Sequence, residues 1–310
     1  MQLLVRSACW EAEGVVSLTL VDPTGQDLPV WEPGAHVDLT VGDGSIRQYS
    51  LCGDPRDRRY YRVGVLREAD GRGGSLFIHD ELRVGALIEV GAPRNHFSFD
   101  PPAHIRFVAG GIGITPLIPM IREAERRELD WHLTYGGRSR ASMAFLDELD
   151  ATRVTVQPAE EVGLIDLDRA LGDPREDVAV YTCGPAPLLD AIEARAESWP
   201  PGAIRLERFS APAQSAVDEG ADASFEVVAK RSGVTVTVPV GQSILATLDE
   251  AGVSTLSSCS EGICGACETP VVEGTPDHRD YVLSDEDKAT GSCMMICVSR
   301  SSSKRIVLDI

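Results

Sequence analysis

The first third of the chain alternates between short runs of apolar or β-branched residues and turn residues such as Pro33-Gly34 and Gly42-Asp43-Gly44. The runs lie at 15–20, 35–41, 60–66 and 86–90, and a short helix is predicted at 76–82. Strands that recur at this spacing between turn signals are typical of small antiparallel barrels. The pattern therefore predicts an antiparallel β-barrel over residues 1–100.

The pattern changes at residue 104, where continuous apolar runs begin to alternate with amphipathic segments. Thr115 fits a helix N-cap, and Pro116 fits the first helical position. Strands are predicted at 105–109, 131–135, 154–156, 178–182 and 204–208, and helices after residue 116 and at 141–149, 166–171 and 186–194. Such alternation predicts a doubly wound parallel sheet over residues 101–212, with ligands at the carboxyl ends of its strands.

The last third begins with a small, polar, aperiodic segment at 213–222, which is predicted to be a linker. A third domain is expected at 223–310. Strands at 225–229 and 234–240 and a helix at 243–251 precede a loop that is rich in cysteine and glycine. The chain is thus expected to be a multidomain α/β and β protein.

Five of the eight cysteines lie close together near the end of the chain: Cys259, Cys264, Cys267, Cys293 and Cys297. The spacing C-x4-C-x2-C, followed later by a fourth cysteine, is typical of plant-type [2Fe-2S] sites. Gly262 and Gly265 suit a loop that must bring its backbone close to a cluster. Spacing alone does not choose between Cys293 and Cys297 as the fourth ligand.

Zinc and disulfide bonds are the two other roles open to these cysteines. A structural zinc held by Cys264, Cys267, Cys293 and Cys297 would leave Cys259 and the two glycines without a role. Disulfides need an oxidising compartment, and the first residues contain no apolar core of a signal peptide. The sequence therefore favours an iron-sulfur cluster and a reducing, cytoplasmic location.

The formal net charge of −19 argues against nucleic acid or an anionic membrane as a partner. No apolar run is long enough to span a bilayer. Acidic residues such as Glu261 and Glu268 lie in or beside the cysteine loop, which favours a basic docking surface on a partner protein. We expect a monomer that has no nucleic-acid or membrane partner.

Two segments of the predicted barrel carry candidate binding chemistry. On a strand, Arg47-Gln48-Tyr49-Ser50-Leu51 places a cation and an aromatic ring on one face, with a hydroxyl on the other. Gly73-Gly74-Ser75 precedes the predicted helix and could bind an anion. Either segment alone would be an ordinary strand or turn.

Two segments of the predicted parallel sheet lie where nucleotides bind. Gly110-Gly111-Ile112-Gly113-Ile114-Thr115-Pro116 follows one strand, and Cys183-Gly184-Pro185 follows another. The first is not the full dinucleotide fingerprint, because Pro116 replaces its last glycine. Arg138 and Arg140 could meet a 2′-phosphate, and no acidic residue stands at the adjacent strand end to bind a 2′-hydroxyl.

Together these motifs resemble the ferredoxin-NADP reductase superfamily, whose flavin motif is R-x-Y-S. Gly73-Gly74-Ser75 is similar to the branch that contains phthalate dioxygenase reductase, which uses FMN. Segments around His278-Arg279-Asp280 and Cys297-Val298-Ser299-Arg300 resemble the ferredoxin domains of phthalate dioxygenase and vanillate demethylase reductases. The resemblance implies a flavin-binding barrel, an NAD-binding sheet and a C-terminal β-grasp ferredoxin domain.

The resemblance also implies roles for individual residues. Arg47 and Ser75 would hold the flavin phosphate, Tyr49 would pack on the isoalloxazine, and Ser50 would lie near N5. The implied flavin contacts are Arg47, Gln48, Tyr49, Ser50, Leu51, Val65, Leu66, Gly73, Gly74 and Ser75. The implied nucleotide contacts are Gly111, Gly113, Thr115, Cys183, Gly184 and Pro185, with Phe209 covering the flavin. The implied catalytic set is Ser50, Thr115, Cys183 and Phe209, and the implied cluster ligands are Cys259, Cys264, Cys267 and Cys297.

The function implied by the resemblance is a reductase that takes electrons from NADH through FMN and a [2Fe-2S] cluster to a Rieske-type oxygenase. That oxygenase would hydroxylate aromatic rings or remove O-methyl groups. NADH and FMN, with FAD as the alternative, are expected because the branch uses them. The alternatives are a reductase that serves a cytochrome P450 or a diiron monooxygenase, and a non-catalytic redox-sensing module.

Overall fold

Residues 1–211 and 223–310 are described by a computed structural model, and they fall into two units, Met1–Phe209 and Ser210–Ile310. The predicted linker at 213–222 lies outside the described residues. Among the described residues, no helix is long and apolar enough to cross a membrane.

The first unit begins with the predicted antiparallel barrel. The elements are β1 (Gln2–Ala12), β2 (Val15–Val21), β3 (His36–Thr40), β4 (Ile46–Ser50), β5 (Tyr61–Leu66), α1 (Gly74–Asp80) and β6 (Leu87–Glu89). Four strands form a sheet in the order β5-β2-β1-β6, and β3 pairs with β4. Bridges from Leu39 to Val90 and from Leu51 to Val63 join this pair to both edges of the sheet and close the barrel.

Strand β1 was not predicted, and its register explains why. Its pairing with β2 shifts between Val5 and Ser7 and again between Trp10 and Ala12. Each irregularity breaks the alternation of buried and exposed side chains that identifies a strand in sequence. By contrast, β3 keeps that alternation, with Val37 and Leu39 fully buried.

The rest of the first unit is a parallel sheet with helices on both faces, as predicted. The elements are β7 (His104–Gly110), α2 (Ile114–Arg126), β8 (Asp130–Gly137), β9 (Val154–Pro158), α3 (Ala159–Val162), α4 (Leu167–Leu171), β10 (Val178–Cys183), α5 (Ala186–Ala196) and β11 (Ile204–Glu207). The strands are ordered β11-β10-β7-β8-β9. Apolar residues of α2 pack in the core on one face, and those of α4 and α5 pack on the other.

The predicted capping by Thr115 is wrong. A 3₁₀ turn at Gly111–Gly113 leads directly into α2, so Thr115 is the second residue of the helix and Pro116 the third. The Thr115 hydroxyl donates to the carbonyl of Ile112 at 2.9 Å, within the 3₁₀ turn. Proline is tolerated in the first turn because the N–H groups there have no helical partner.

The predicted helix at 141–149 is also wrong. The connection contains only two short 3₁₀ turns, Arg140–Ser142 and Leu146–Glu148. Phe145 between them has a left-handed φ of 63°, which no α-helix contains. This backbone turns the Phe145 ring into the core that surrounds α2, so burial of an aromatic side chain overrides the local helical pattern.

The second unit has the predicted β-grasp arrangement around one apolar core. Its elements are β12 (Phe225–Ala229), β13 (Val234–Val238), α6 (Ile244–Glu250), β14 (Glu268–Glu273), β15 (Pro276–Asp277), α7 (Asp285–Thr290), β16 (Cys293–Met295), β17 (Arg300–Ser301) and β18 (Arg305–Leu308). The five-stranded sheet has the order β13-β12-β18-β14-β16. Ser243 caps α6 by accepting a hydrogen bond from the Ala246 amide.

An ion-pair network joins the barrel to the parallel-sheet part of the first unit. Arg62 on β5 contacts Glu11 at 2.8 Å and Glu148 at 2.6 Å, and its guanidinium lies 4.8 Å from the centroid of the Phe145 ring. All three charged side chains are largely shielded from solvent. Removal of one member of such a network leaves a buried charge unpaired.

We predict that Arg62→Ala lowers the free energy of unfolding of the first unit by about 3 kcal/mol, because it leaves the shielded Glu11 carboxylate without a cation and leaves Glu148 with Arg122 alone. All four tryptophans belong to this unit, so urea unfolding followed by tryptophan fluorescence measures it. Arg59→Ala is the matched control, since Arg59 pairs with Asp57 on the surface and should contribute little. Equal effects of the two substitutions would contradict the prediction.

Candidate functional site

Arg47 lies against the glycine segment that begins α1. A Cβ atom on Gly74 would stand 2.6 Å from Cγ of Arg47, so only glycine allows this approach. The guanidinium donates to the carbonyl of Arg72 at 2.7 Å, and Gly73 has a left-handed φ of 82°. Among the described residues, the buried Nε of Arg47 has no hydrogen-bond partner. A cation beside exposed glycine backbone is suited to a phosphate group.

The other predicted flavin residues are placed differently. Tyr49 packs at the edge of the barrel core, and burial raises the pKa of its phenol to about 12. Gln48 donates to Asp38 at 2.9 Å, and the Ser75 hydroxyl accepts from the Glu68 amide at 3.1 Å. The remaining four positions lie further inside: Leu51 and Val65 lie in the barrel core, Leu66 packs against the core around α2, and the buried Ser50 ends β4.

The two predicted nucleotide segments are in direct contact. A Cβ atom on Gly113 would lie 2.3 Å from the carbonyl oxygen of Cys183, and one on Gly110 would lie 2.6 Å from Cδ of Pro185. Gly184 would likewise meet the Gly110 backbone at 3.0 Å. The two strand ends can therefore meet because Gly110, Gly113 and Gly184 have no side chains. Gly111, with a φ of 54°, has no atom within 4 Å of its Cβ position and faces open space.

Thr115 joins this strand edge to the barrel. Its methyl group lies against β5, because a Cβ atom on Gly64 would stand 2.8 Å from Thr115 Cγ2. The side chain is buried and its hydroxyl is used within the preceding turn. The predicted site residue Thr115 is thus at the boundary between the barrel and the sheet.

Glu207 is a site residue that the sequence analysis missed. It ends β11 in register with Cys183 of β10, so the two side chains share one edge of the sheet. The residue is partly exposed as a whole, but its Oε2 atom is shielded and has no hydrogen-bond partner among the described residues. The available signal was a carboxylate near the end of the predicted strand at 204–208.

The environment of Glu207 favours its neutral form. Burial raises the pKa of its carboxyl from 4.5 to about 8, against the opposing effect of a hydrogen bond with Ser50. The neighbouring Cys183 thiol is fully buried, and burial followed by the charge of Glu207 raises its pKa well above the usual value. Ser50, Cys183 and Glu207 therefore form one shielded group where the barrel meets the sheet.

Phe209 lies two residues beyond β11 and is 41% exposed. The intervening Arg208 is buried and pairs with Asp190 at 2.9 Å and with Glu193, which fixes the backbone between Glu207 and Phe209. The exposed Phe209 ring, next to this buried site, is suited to covering a planar ligand.

Four cysteines of the second unit are gathered in one buried place. The thiol of Cys259 contacts those of Cys264 and Cys297, and Cys267 contacts Cys297. Among the described residues, no group of three or more His, Cys, Asp or Glu is arranged for a single metal ion. Four neighbouring thiols fit the donor set of a cluster that contains two irons.

The loop that carries the first three of these cysteines has the backbone that a cluster site requires. Ser260, Gly262 and Gly265 all have left-handed φ values, of 58°, 71° and 69°. The Glu261 amide points at Cys259 Sγ at 3.3 Å. A Cβ atom on Gly262 would stand 2.6 Å from the Val298 side chain, so this glycine is required for packing as well.

Cys293 is placed apart from the four gathered thiols. It lies on β16 opposite Pro270, and its thiol faces Glu268. Burial, followed by the charge of Glu268, raises the pKa of the Cys293 thiol to about 11. All eight cysteines are described, and none forms a disulfide.

Known proteins are similar to this chain in both of its units. Residues 227–302 match a family described as the 2Fe-2S iron-sulfur cluster binding domain. The chain is 42% identical to the phenoxybenzoate dioxygenase subunit beta of Ectopseudomonas oleovorans, over 100% of this chain and 97% of that protein. It is 38% identical to the phthalate dioxygenase reductase of Burkholderia cepacia, over 96% and 94% of the two chains.

Solved structures extend the likeness to the whole fold. A crystal structure of an intact type IV self-sufficient cytochrome P450 monooxygenase matches all of this chain with a TM-score of 0.94 and 42% identity, and the chain spans 41% of that protein. Phthalate dioxygenase reductase, a modular structure for electron transfer from pyridine nucleotides to [2Fe-2S], matches with a TM-score of 0.72 and 36% identity over 100% and 98% of the chains. The resemblance inferred from sequence is confirmed: the chain belongs to the phthalate dioxygenase reductase family of oxidoreductases, with a C-terminal [2Fe-2S] domain.

Proposed function

We propose that this protein takes electrons from NADH through FMN and a [2Fe-2S] cluster and delivers them to a Rieske-type oxygenase. The observation that carries the proposal is the shielded group of Ser50, Cys183 and Glu207, in which a barrel strand and two strand ends of the parallel sheet meet. We also propose the division into residues 1–100, 101–212 and 223–310 as flavin, nucleotide and cluster domains.

The barrel residues would bind the flavin. Arg47, together with the backbone of Gly73-Gly74-Ser75, would hold its phosphate, since a guanidinium and free amide groups are good phosphate ligands. Tyr49, at the edge of the barrel core, would pack on the ring system. When bound, the flavin accepts a hydride from a nicotinamide and releases the electrons one at a time to the cluster.

The sheet residues would bind and orient the nucleotide. The open space at Gly111 would admit the pyrophosphate, and Cys183-Gly184-Pro185 would flank the nicotinamide. Phe209 would cover the flavin until the nicotinamide displaces it. Glu207, with its raised pKa, would hold a proton on its carboxyl at neutral pH and accept a hydrogen bond from the Ser50 hydroxyl.

The acceptor has two candidates. The relatives named above include a dioxygenase subunit and a dioxygenase reductase of nearly the same length as this chain, which favours a separate oxygenase component. The P450 monooxygenase structure, at a TM-score of 0.94, favours a cytochrome P450. The two are distinguished by supplying a purified Rieske oxygenase or a purified P450 and following the bleaching of the Rieske centre or the ferrous-CO band of the haem.

We predict that anaerobically purified protein has overlapping flavin and iron-sulfur absorption, and that NADH bleaches both. Boiling should release FMN, and kcat/KM for cytochrome c reduction should be higher with NADH than with NADPH. Recovery of FAD, or a preference for NADPH, would contradict those parts of the proposal. Failure of NADH to bleach a fully loaded sample would instead favour a redox-sensing module.

We predict that Cys297→Ser abolishes the [2Fe-2S] absorption, whereas Cys293→Ser preserves it. The reason is that Cys297 contacts two other buried thiols, while Cys293 faces Glu268. Each variant has the same chemical change in the same unit, so each controls for the other. The measurement is iron content and visible absorption per protein chain, and the reverse pattern would make Cys293 the fourth ligand.

We predict a pH-dependent effect of Glu207→Gln on stability. Because the folded protein binds the proton of Glu207 more tightly than the unfolded chain, with a pKa of about 8 against 4.5, this group loses its stabilising effect as pH rises through that window. The free energy of unfolding of Glu207→Gln minus that of the wild type should therefore increase from pH 5 to about pH 8 and then level off.

Urea unfolding at several pH values measures this difference. Glu89→Gln is the control, because Glu89 is exposed on β6 and lacks a buried environment. The prediction would be contradicted if the free energy of unfolding of Glu207→Gln minus that of the wild type stayed constant between pH 5 and pH 8. The Glu207 carboxyl would then titrate normally.

A further inference from the structure

A polar groove lies at the edge of the parallel sheet opposite the glycine turn. Its volume is about 520 Å³. Arg106 on β7, His132 on β8, Arg153 just before β9 and Arg169 on α4 line it, together with Asp130 and Trp131. These residues lie toward the beginnings of the strands, whereas Gly113 and Cys183 lie at strand ends. The groove is therefore separate from the nucleotide site.

The groove exists because short helices leave part of one sheet face uncovered. α4 packs in the same apolar cluster as Val108, and Arg106 lies on the same face two residues nearer the start of β7. His132 is the direct partner of Arg106 on β8 and shares that face. A parallel sheet is normally covered by apolar contacts on both faces, so a face lined by cations is unusual.

The three arginines of the groove are only partly neutralised by the protein. Among the described residues, none of Arg106, Arg153 and Arg169 forms an ion pair with a carboxylate. Arg153 lies 5.4 Å from the centroid of the Trp131 ring, which holds its guanidinium at the groove wall. The carboxylate that lines the groove, Asp130, pairs with His104 at 2.8 Å, and the hydrogen bond from His104, followed by the charges of Arg106 and Arg153, lowers its pKa. One carboxylate thus faces three guanidinium groups.

The positive charge of the groove affects the pKa of the neighbouring His132. His132 Nε2 contacts the Thr155 hydroxyl at 2.8 Å. Burial lowers the pKa of His132, and the charges of Arg106 and Arg169 lower it further. An excess of positive charge therefore persists in this groove although the whole chain carries a formal charge of −19.

We propose that this groove binds a small anion with two or more phosphate or carboxylate groups. Guanidinium groups from three separate elements converge there, and a planar guanidinium binds either group through two parallel hydrogen bonds. The groove volume lies within the range of small-molecule sites.

The test is calorimetric titration of the full, cofactor-loaded chain with pyrophosphate and with citrate. Each titration is run without and with saturating NAD⁺, which occupies the nucleotide site. We expect saturable binding of one molecule per chain for at least one probe. Preference for pyrophosphate would identify a phosphate ligand, and preference for citrate would identify a carboxylate ligand.

Two variants locate the binding. Arg106→Gln combined with Arg169→Gln should weaken it by about tenfold or more, since charge-assisted hydrogen bonds are lost. Arg175→Gln should leave it unchanged, because Arg175 precedes β10, pairs with Asp177 and does not line the groove. If the double variant unfolds, as judged by its melting temperature, Arg153→Gln replaces it with the same expected direction.

Three results would overturn the proposal. They are the absence of saturable binding for both probes, equal weakening by Arg175→Gln and the groove variants, and loss of binding when NAD⁺ is added. The last result would place the probes in the nucleotide site. Because these measurements do not use electron transfer, they stand apart from any failure of the proposed reductase function.

Discussion

The close approach of the glycine turn to the end of β10 is the contact on which the site of the first unit depends. A side chain at Gly113 would overlap the carbonyl of Cys183, and one at Gly110 would overlap Pro185. The turn can approach this closely only because Gly110 and Gly113 carry no Cβ atom. This contact joins the two strand ends into one continuous edge of the sheet. The barrel borders that edge, because β5 contacts Thr115 of α2 and β4 supplies the Ser50 hydroxyl.

The same arrangement explains the unusual protonation at this edge. Glu207 ends its strand in register with Cys183, and its Oε2 atom is shielded from solvent. Water is excluded there, so the carboxyl keeps its proton to a much higher pH than usual. The Arg62 network stabilises this arrangement, because it ties a barrel strand to Glu148 in the sheet part of the unit.

Local sequence patterns predicted a large part of the molecule. Alternation identified most barrel strands, and the helical repeat identified α2 and α5, because burial of one face is imposed within a few residues. The cysteine spacing and glycines of the loop at 259–267 predicted a cluster domain, since those ligands and turns are neighbours in sequence. The spacing did not choose between Cys293 and Cys297, which differ by their surroundings in the fold.

The sequence by itself determined the three kinds of folded region, the glycine motifs and the cysteine loop. The tertiary structure decided where β1 is irregular, how Phe145 replaces a helix, and which residues share an environment. Glu207 became a site residue only when a distant strand brought Ser50 to it, and Arg106 and Arg169 converge although they are far apart in sequence. Burial and electrostatic fields depend on distances in space, and a linear pattern encodes only neighbours along the chain.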